Sequence, residues 1–468
     1  MSQSITRTLV SLLLAVAPVL AYGPPAAAAQ PSAPSEIPSE TLPGALSETA
    51  PDADVSGSID LFRADPANDA DPLAADIERM INLGRIQAQN GELVVAKRTL
   101  EDAVASIEDA YGIWDQRIVS ATAELGAVTA RLGDLDAAVG LYEQAVHVNR
   151  INQGLHDISQ LGMLRDLSAL RASQGDWESA NEIQEYVYYV QQREYGSGSP
   201  AMVPGLYRFA EWLQRSGGIY KARVLYQNAV AILENAYGPE DIRLVDALQG
   251  VATTYRLERY PVASEGRREA EPGFTFSTAT QRHELIVEDN RTSLNRYGEG
   301  EAALARIVGI LEAHPETSPR ERAEALLDLG DWYLIFDKWG EAFDAYAQAR
   351  DLLAAAGWDD ARIDPIFGEP LPLVFPLPPA PTPPAYATDL TEQRGFVDLT
   401  YDISDRGRVE EINIVAAQPE GLMDFRTRRA IKSARFRPRF VDGEPVETTG
   451  VQYRHSFVYY EKVAPAEG

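Results

Sequence analysis

The sequence predicts a protein of two folded parts: an α-helical solenoid, and a small C-terminal α+β domain with an antiparallel sheet and a helix. A repeat with a period of 42 residues runs through the first part. Nine prolines then fall between residues 365 and 384, and after them the apolar residues change from helical spacing to alternation. The length of 468 residues exceeds what one hydrophobic core organises, which agrees with several domains.

The repeat is visible in several independent columns of the sequence. Glycine keeps the 42-residue spacing in two columns, alanine in a third, and a large apolar residue followed by a small one in a fourth. These columns are Gly91, Gly133, Gly175 and Gly217; Gly112, Gly154, Gly196 and Gly238; Ala96, Ala138, Ala180 and Ala222; and Leu83, Leu125, Leu167, Phe209 and Val251. One spacing shared by four columns predicts an array of equivalent units.

Each unit is predicted to be a pair of helices. In the first unit, Ile77 and Ile81 have helical spacing, Gly91 breaks the chain, and Ala96 and Leu100 resume the spacing. Small residues let the two helices approach closely while the large residue fills the remaining gap. This pattern resembles the tetratricopeptide repeat (TPR) in the 42-residue form of kinesin light chain, although the consensus tryptophan and proline are mostly absent. The resemblance implies a TPR solenoid that binds another protein.

The array is expected to span residues 73–270, with its last unit degraded, and to be followed by an irregular segment at 271–300. The columns return in a terminal TPR-like unit at 301–356. In the TPR fold the first helix of each unit lines the concave face, which is the expected site for a protein partner. The candidate lining residues are Arg85, Ser120, Ala127, Arg165, Ala169, Tyr207 and Glu211. The small ones leave room for an inserted segment, and they equally fit tight packing of the superhelix.

A proline-rich spacer is expected at 357–385. Its prolines favour extended polyproline II at about 3.1 Å per residue, which gives the 20-residue stretch a length of roughly 60 Å. The segment fits a simple linker, and a docking site for a proline-binding partner is the alternative.

The C-terminal domain is expected at 386–463, as two strands, a helix and a last strand. Alternating apolar residues form each strand, Asp405-Arg406-Gly407 forms the first turn, and Ala430 and Ile431 belong to the helix. The apolar residues of the three strands are Val397, Leu399, Tyr401 and Ile403; Val409, Ile412, Ile414 and Val415; and Val451, Tyr453, Phe457 and Tyr459.

The order of motifs in this domain resembles the C-terminal domain of the TonB family. The resemblance is carried by Gly395-Phe396-Val397-Asp398-Leu399, by Phe436-Arg437-Pro438 and by Asp442-Gly443-Glu444-Pro445-Val446. The tyrosine-proline pair that the family has ahead of the domain is missing, since Ala387 follows Tyr386.

The resemblance implies that the domain pairs one strand with a short peptide of an outer-membrane receptor, by addition to an open sheet edge. The matching strand is Val451, Gln452, Tyr453, Arg454, His455, Ser456, Phe457, Val458 and Tyr459. Gln452, Arg454, Ser456 and Val458 are expected to point away from the core.

The N-terminus resembles an export signal at 1–29. Arg7 supplies a positive charge, Leu9 to Leu20 an apolar stretch too short to span a membrane, and Ala27-Ala28-Ala29 a cleavage site. The alternative is an uncleaved anchor in the inner membrane, facing the periplasm. Residues 30–72 are rich in Pro, Ala, Ser, Asp and Glu and are expected to be a disordered acidic linker.

Composition excludes several function classes. The chain has no cysteine, so disulfides, thiolate metal sites and cysteine nucleophiles are absent, and its formal net charge of −28 repels nucleic acids and anionic lipids. The five histidines are scattered and no phosphate-binding loop occurs. We therefore expect no enzyme, no cofactor, no metal and no nucleic-acid partner.

A basic run stands out against this acidity. The part from Tyr386 onward has 12 Lys or Arg against 14 Asp or Glu, so nearly all the acidity lies upstream. The run comprises Arg426, Arg428, Arg429, Lys432, Arg435, Arg437 and Arg439. It fits a solvated helix face and strand end, or a patch that docks an acidic partner.

Two functions remain open. One is a periplasmic, TonB-like transducer or adaptor that binds an outer-membrane receptor or peptide segment through the last strand, and another periplasmic protein through the TPR array. The other is a passive envelope scaffold that is not coupled to energy. An inner-membrane complex is a further partner if the N-terminus stays anchored.

Overall fold

The computed structural model describes residues 71–260, 297–378, 381 and 390–462. The chain divides into two units, Met1–Asp71 and Pro72–Gly468, and the first contributes only Asp71 to the described residues. The predicted signal at 1–29, nearly all of the predicted linker and most of the irregular segment lie outside them.

Twelve helices of the described residues form the array. They pair as successive antiparallel hairpins. Their bounds are α1 Pro72–Gln89, α2 Leu93–Tyr111, α3 Ile118–Arg131, α4 Leu135–Gln153, α5 Leu161–Ser173, α6 Trp177–Tyr195, α7 Val203–Arg215, α8 Ile219–Tyr237, α9 Val245–Arg259, α10 Tyr297–Ala313, α11 Pro319–Ile335 and α12 Trp339–Ala355. Short 3₁₀ helices at Ile158–Gln160, Pro200–Met202 and Ile242–Leu244 lead into α5, α7 and α9.

The small-residue columns of the repeat have the packing roles that the sequence predicts, whereas the large apolar column is not buried throughout, since Leu83 is 48% exposed. The alanine column, Ala96, Ala138, Ala180 and Ala222, is 0% exposed. A Cβ added at Gly250 would lie 2.3 Å from the Tyr226 ring, so this glycine allows α8 and α9 to touch. In the last hairpin Asp337 takes the place of the turn glycines and has φ +61°, a left-handed conformation that costs an aspartate less than most residues.

The fifth hairpin corrects the expected boundaries. Helix α10 begins at Tyr297 and pairs with α9 across residues 261–296, so it is the second helix of the fifth unit and does not belong to the terminal one. The fifth unit therefore carries an insertion between its two helices. The insertion lengthens the sequence separation between the repeat positions of α9 and those of α10. The 42-residue period is therefore not visible in the sequence of this unit.

The C-terminal domain is small and antiparallel. Its central sheet has the order β3-β2-β7, and two small two-stranded sheets pair β1 with β4 and β5 with β6. The elements are β1 Leu371–Val374, β2 Leu390–Ile403, β3 Val409–Gln418, α14 Asp424–Lys432, β4 Arg435–Arg437, β5 Arg439–Val441, β6 Glu444–Val446 and β7 Thr448–Lys462. The core of the domain contains Val397, Leu399, Tyr401, Ile403, Ile412, Ile431 and Phe436.

Strand β3 departs from the predicted alternation. Ile414 and Val415 were expected to be apolar core residues, and their side chains are 38% and 66% exposed. The register of β3 against β2 shifts between Asp398 and Leu399 and again after Thr400. Such irregularities turn the following side chains to the other face of the sheet, which explains the exposure.

The expected spacer is folded in its first half. Residues Asp360–Phe367 form helix α13, and β1 pairs with β4 of the C-terminal domain. Ile363, Phe367 and Val374 are buried, and the first two share a core with α11 and α12. Apolar residues between the prolines thus find partners in the last hairpin, and this half is not an extended linker.

The C-terminal domain packs directly on the last hairpin through charged and aromatic contacts. Arg437 donates two hydrogen bonds to the Asp331 carboxylate at 2.8 and 2.7 Å, and the Tyr346 hydroxyl donates a third at 2.8 Å. Phe440 lies edge-on to the rings of Tyr346 and Phe367 at 5.6 and 5.5 Å. The array and the domain therefore share one interface.

Two ion pairs with the same geometry but different burial provide a test of this interface. The Arg437 and Asp331 side chains are 6% and 15% exposed, whereas Arg454 and Asp398 are 62% and 25% exposed. We expect Asp331→Ala to lower the free energy of unfolding by about 3 kcal/mol or more, because it leaves a buried guanidinium without a counter-charge. Asp398→Ala should cost about 1 kcal/mol or less. Urea unfolding of both variants measures the difference.

The double variant Asp331→Leu/Arg437→Met is the control. It removes both charges together and should recover much of the lost stability. Equal losses in Asp331→Ala and Asp398→Ala would contradict a buried interface.

Candidate functional site

Strand β7 lies at an edge of the central sheet. Its 15 residues pair on one side with β2, from Ile403 opposite Thr448 to Leu390 opposite Lys462. On its other side no strand of the described part of the chain pairs with it. A row of backbone N–H and C=O groups on that side is therefore available to an added strand.

The side chains of β7 alternate as predicted. Gln452, Arg454 and Ser456 are exposed, and Val458 is half-buried. On the opposite face Phe457 is 6% exposed, and Val451, Tyr453 and Tyr459 pack against the core of the domain. The strand is thus held by one face and by one backbone edge, and its other edge is open.

Arg454 spans β7 and β2 on the outer face. It lies opposite Asp398 and donates two hydrogen bonds of 2.6 Å each to that carboxylate. This contact holds the pKa of Asp398 below its usual range. The Arg454 guanidinium also lies 4.6 Å from the centre of the Phe396 ring. These contacts fix the edge strand to the sheet without using its open backbone groups.

His455 is the one residue of 451–459 without a predicted face. Alternation alone would have placed it inward, between Tyr453 and Phe457. It is 8% exposed, stacks on Phe457 at 5.8 Å, and its Nε2 has no hydrogen-bond partner within the described residues. Burial lowers the pKa of His455.

The ribbon of β2 and β7 extends beyond the rest of the sheet. Strand β3 ends opposite Phe396, whereas β2 and β7 remain paired to Leu390 and Lys462. Gly395 lies next to the point where β3 ends and the pair of β2 and β7 continues. A Cβ on Gly395 would lie 2.5 Å from the Gln418 carbonyl oxygen and 2.7 Å from the Phe457 ring. The glycine of the family-like motif is therefore needed for close packing.

The predicted concave-face residues all lie on the first helices of successive hairpins. Arg85 is on α1, Ser120 and Ala127 on α3, Arg165 and Ala169 on α5, and Tyr207 and Glu211 on α7. Each is exposed or half-buried. Arg85 donates a 2.7 Å hydrogen bond to Glu124 of the next first helix, and burial raises the pKa of Tyr207 to about 12. Their role in binding remains a prediction.

The column of predicted concave-face residues ends at the C-terminal domain. Asp331 follows Leu329 by two residues, just as Arg85, Ala127, Ala169 and Glu211 follow the large apolar residue of their own units. It therefore occupies the equivalent position on the last first helix, where Arg437 covers it. No local sequence pattern predicts this contact, because the two residues are 106 positions apart.

The described residues hold no group of three or more His, Asp or Glu side chains that could bind a metal ion. Among those same residues, no helix has both the length and the apolar character needed to cross a membrane.

Comparisons with known proteins identify the C-terminal domain. Residues 381–458 match the family described as Gram-negative bacterial TonB protein C-terminal. The match confirms the resemblance found in the motifs. No sequence among the curated proteins matches the chain.

Several solved structures are similar to the chain, and some of them are TPR or TPR-like proteins by name. A kinesin light chain of nearly identical TPR-like repeats from Podosopora anserina is 19% identical over 52% of this chain and 99% of its own, with a TM-score of 0.37. BtubC (BKLC) from P. vanneervenii is 14% identical over 68% and 96%, with a TM-score of 0.35. Pseudomonas aeruginosa pilF is 13% identical over 62% and 95%, with a TM-score of 0.32.

These structural likenesses concern the fold alone, and the TPR-like architecture rests on the helix pairs and their columns. The chain thus combines a TPR-like solenoid with a TonB-type C-terminal domain. The TonB-type domain, together with the TPR-like array, supports a protein-binding protein of the Gram-negative envelope.

The buried His455 predicts that the stability of the domain depends on pH. An unfolded histidine has a pKa near 6.5, and the folded pKa is lower, so the unfolded state binds the proton more readily. The stability of the domain should therefore fall as pH drops below about 6.5, by at most about 1.4 kcal/mol per pH unit. Hydrogen exchange of the β7 amides between pH 7.5 and 5 measures this, and His455→Leu should remove the dependence.

His314 is a control, because its pKa is shifted in the opposite direction to that of His455. Its contact with Glu316 raises its pKa, so its stabilising effect is present at low pH and is lost as pH rises. A β7 exchange profile that is the same in His455→Leu and in the parent protein would contradict the prediction.

Proposed function

We propose that this protein is a non-enzymatic adaptor of the Gram-negative periplasm, which captures an extended peptide of an outer-membrane receptor by strand addition to β7. The observation that carries the proposal is the open edge of β7 in a TonB-type domain. The strand is anchored by Phe457, His455 and the Arg454–Asp398 contact, so it can accept a partner without refolding.

The TPR-like array supplies a second binding surface in this proposal. Its concave face carries small residues at Ala127 and Ala169 between charged ones at Arg85, Arg165 and Glu211. The domain is fixed to the last hairpin by the Arg437–Asp331 pair, so a ligand on β7 and a protein in the groove would be held in a defined relative position. Such an arrangement suits an adaptor between two envelope proteins.

In this proposal, energy transduction depends on whether the N-terminus stays anchored in the membrane. A transducer needs an anchor in the inner membrane, and the predicted cleavage after Ala29 would release the protein into the periplasm. N-terminal sequencing of the mature protein distinguishes the two: a start at Gln30 favours the uncoupled adaptor, and an intact N-terminus favours the transducer.

Strand addition predicts a register that can be measured by cross-linking. The chain has no cysteine, so single cysteines can replace Gln452 or Ser456 on the exposed face of β7. Opposed residues of paired strands have Cβ atoms roughly 5 Å apart, within reach of a disulfide. Peptides from the periplasmic segments of outer-membrane receptors, each with one cysteine, should cross-link at a preferred position. Moving the cysteine from 452 to 456 should shift that position by four residues.

Asn413→Cys is the matched control, because it places an exposed cysteine on β3 at the opposite edge of the sheet. It should give little cross-linking. Equal yields at 413 and 456, or yields that do not depend on the peptide position, would show that β7 is not the docking edge.

Groove binding predicts an effect of large side chains on the concave face. Ala127→Trp and Ala169→Trp should fill the space between adjacent first helices and reduce partner retention in affinity purification from periplasmic extract. Ala110→Trp makes the same change at an exposed position on α2, a second helix, and should retain the partner. A large loss of thermal stability in the groove variants would show that these alanines serve packing instead.

A further inference from the structure

The basic run of the C-terminal domain is divided into two parts by the fold. Arg435 and Arg437 turn towards the array, where Arg437 binds Asp331 and Arg435 lies 3.8 Å from Asp337. Of the remaining five cations, Arg439 begins β5 and is half-buried. The other four are on helix α14 and are exposed; they are Arg426, Arg428, Arg429 and Lys432. None of these four forms an ion pair or a hydrogen bond through its side chain within the described residues.

An aromatic side chain protrudes at the N-terminal end of these cations, on the same face of the helix. Phe425 is 73% exposed, and Leu422, just before the helix, is 43% exposed. At 3.6 residues per turn, Arg428, Arg429 and Lys432 lie within about 60° of Phe425 around the helix. Thr427 and Ile431 lie on the opposite side and are buried at 0%. The acidic residue of α14, Asp424, is half-buried in its first turn.

We propose that this face of α14 binds an anionic membrane surface. Cations that flank an exposed aromatic residue are typical of a segment lying at a lipid interface, where the ring enters the headgroup region and the cations contact phosphates. A folded protein partner would need a pocket for Phe425, whereas a bilayer accepts a protruding ring without one. The net charge of −28 repels anionic lipids from the chain as a whole, but salt screens charges beyond about 8 Å, so the acidity of the array does not prevent a local contact through α14.

The membrane contact is compatible with strand addition and independent of it. Helix α14 packs on β3, which lies on the far side of β2 from β7. A membrane on the exposed face of α14 therefore leaves the open edge of β7 free. The consequence is a protein whose peptide-binding edge is presented beside a lipid surface.

Vesicle binding by the full chain tests the proposal. Vesicles of phosphatidylethanolamine with about 30 mol% phosphatidylglycerol should bind the protein at low salt, and uncharged vesicles should not. Arg428→Gln/Arg429→Gln should weaken the binding about 30-fold, the loss expected when two cations leave an anionic surface. The double variant Arg98→Gln/Arg320→Gln removes the same charge from exposed positions of α2 and α11 and should bind as the parent does.

A single label locates the contact. A Leu422→Cys variant carries the only thiol of the chain, and an environment-sensitive fluorophore there should shift its emission to the blue with anionic vesicles. The same label at Ala110→Cys should not shift. Equal binding by the two double variants would overturn the proposal. So would binding to an acidic polyglutamate peptide without binding to vesicles, because it would identify α14 as a site for an acidic protein.

Discussion

The burial of one ion pair, Asp331 with Arg437, determines how the two parts of this protein are arranged. A charge removed from water has to find a counter-charge with good geometry, and here the carboxylate accepts two bonds from the guanidinium and one from Tyr346. Burial and the Asp331 carboxylate raise the pKa of Tyr346 well above its usual range, so it stays a neutral donor. A shift of the domain would break both Arg437 bonds at once and leave the Asp331 carboxylate with only the Tyr346 hydroxyl of its own hairpin, so the orientation of the sheet depends on this ion pair.

The sequence predicts those features whose cause is local. The columns of glycine and alanine have one spacing because each hairpin repeats the same close contact, and alternation identifies β7 because one of its faces is buried. The helix α13 and the strand β1 were missed because prolines dominate their local pattern. Ile363, Phe367 and Val374 become ordered only through the last hairpin and β4, which no local window contains.

The candidate site, too, could be predicted only where its cause is local in the sequence. The edge position and the outward residues of β7 follow from alternation and the family resemblance, and His455 could have been placed inward by the same rule. The contact that joins the column of predicted concave-face residues to the C-terminal domain could not be predicted. Asp331 belongs to a helical column and Arg437 to a strand, and only the folded chain brings them together.

The packing of the C-terminal domain on the last hairpin also explains why a basic run occurs in a chain of net charge −28. The seven cations lie close together in the sequence and carry the same charge, yet the fold places them in different surroundings. Arg435 and Arg437 approach acids of the last hairpin, and Arg408 joins them at Asp337, 2.9 Å away. The cations of α14 form no ion pair with an acid of the described array. A solvated helix face would need no aromatic residue beside its cations, and the exposure of Phe425 among four unpaired cations therefore favours a bound anionic surface.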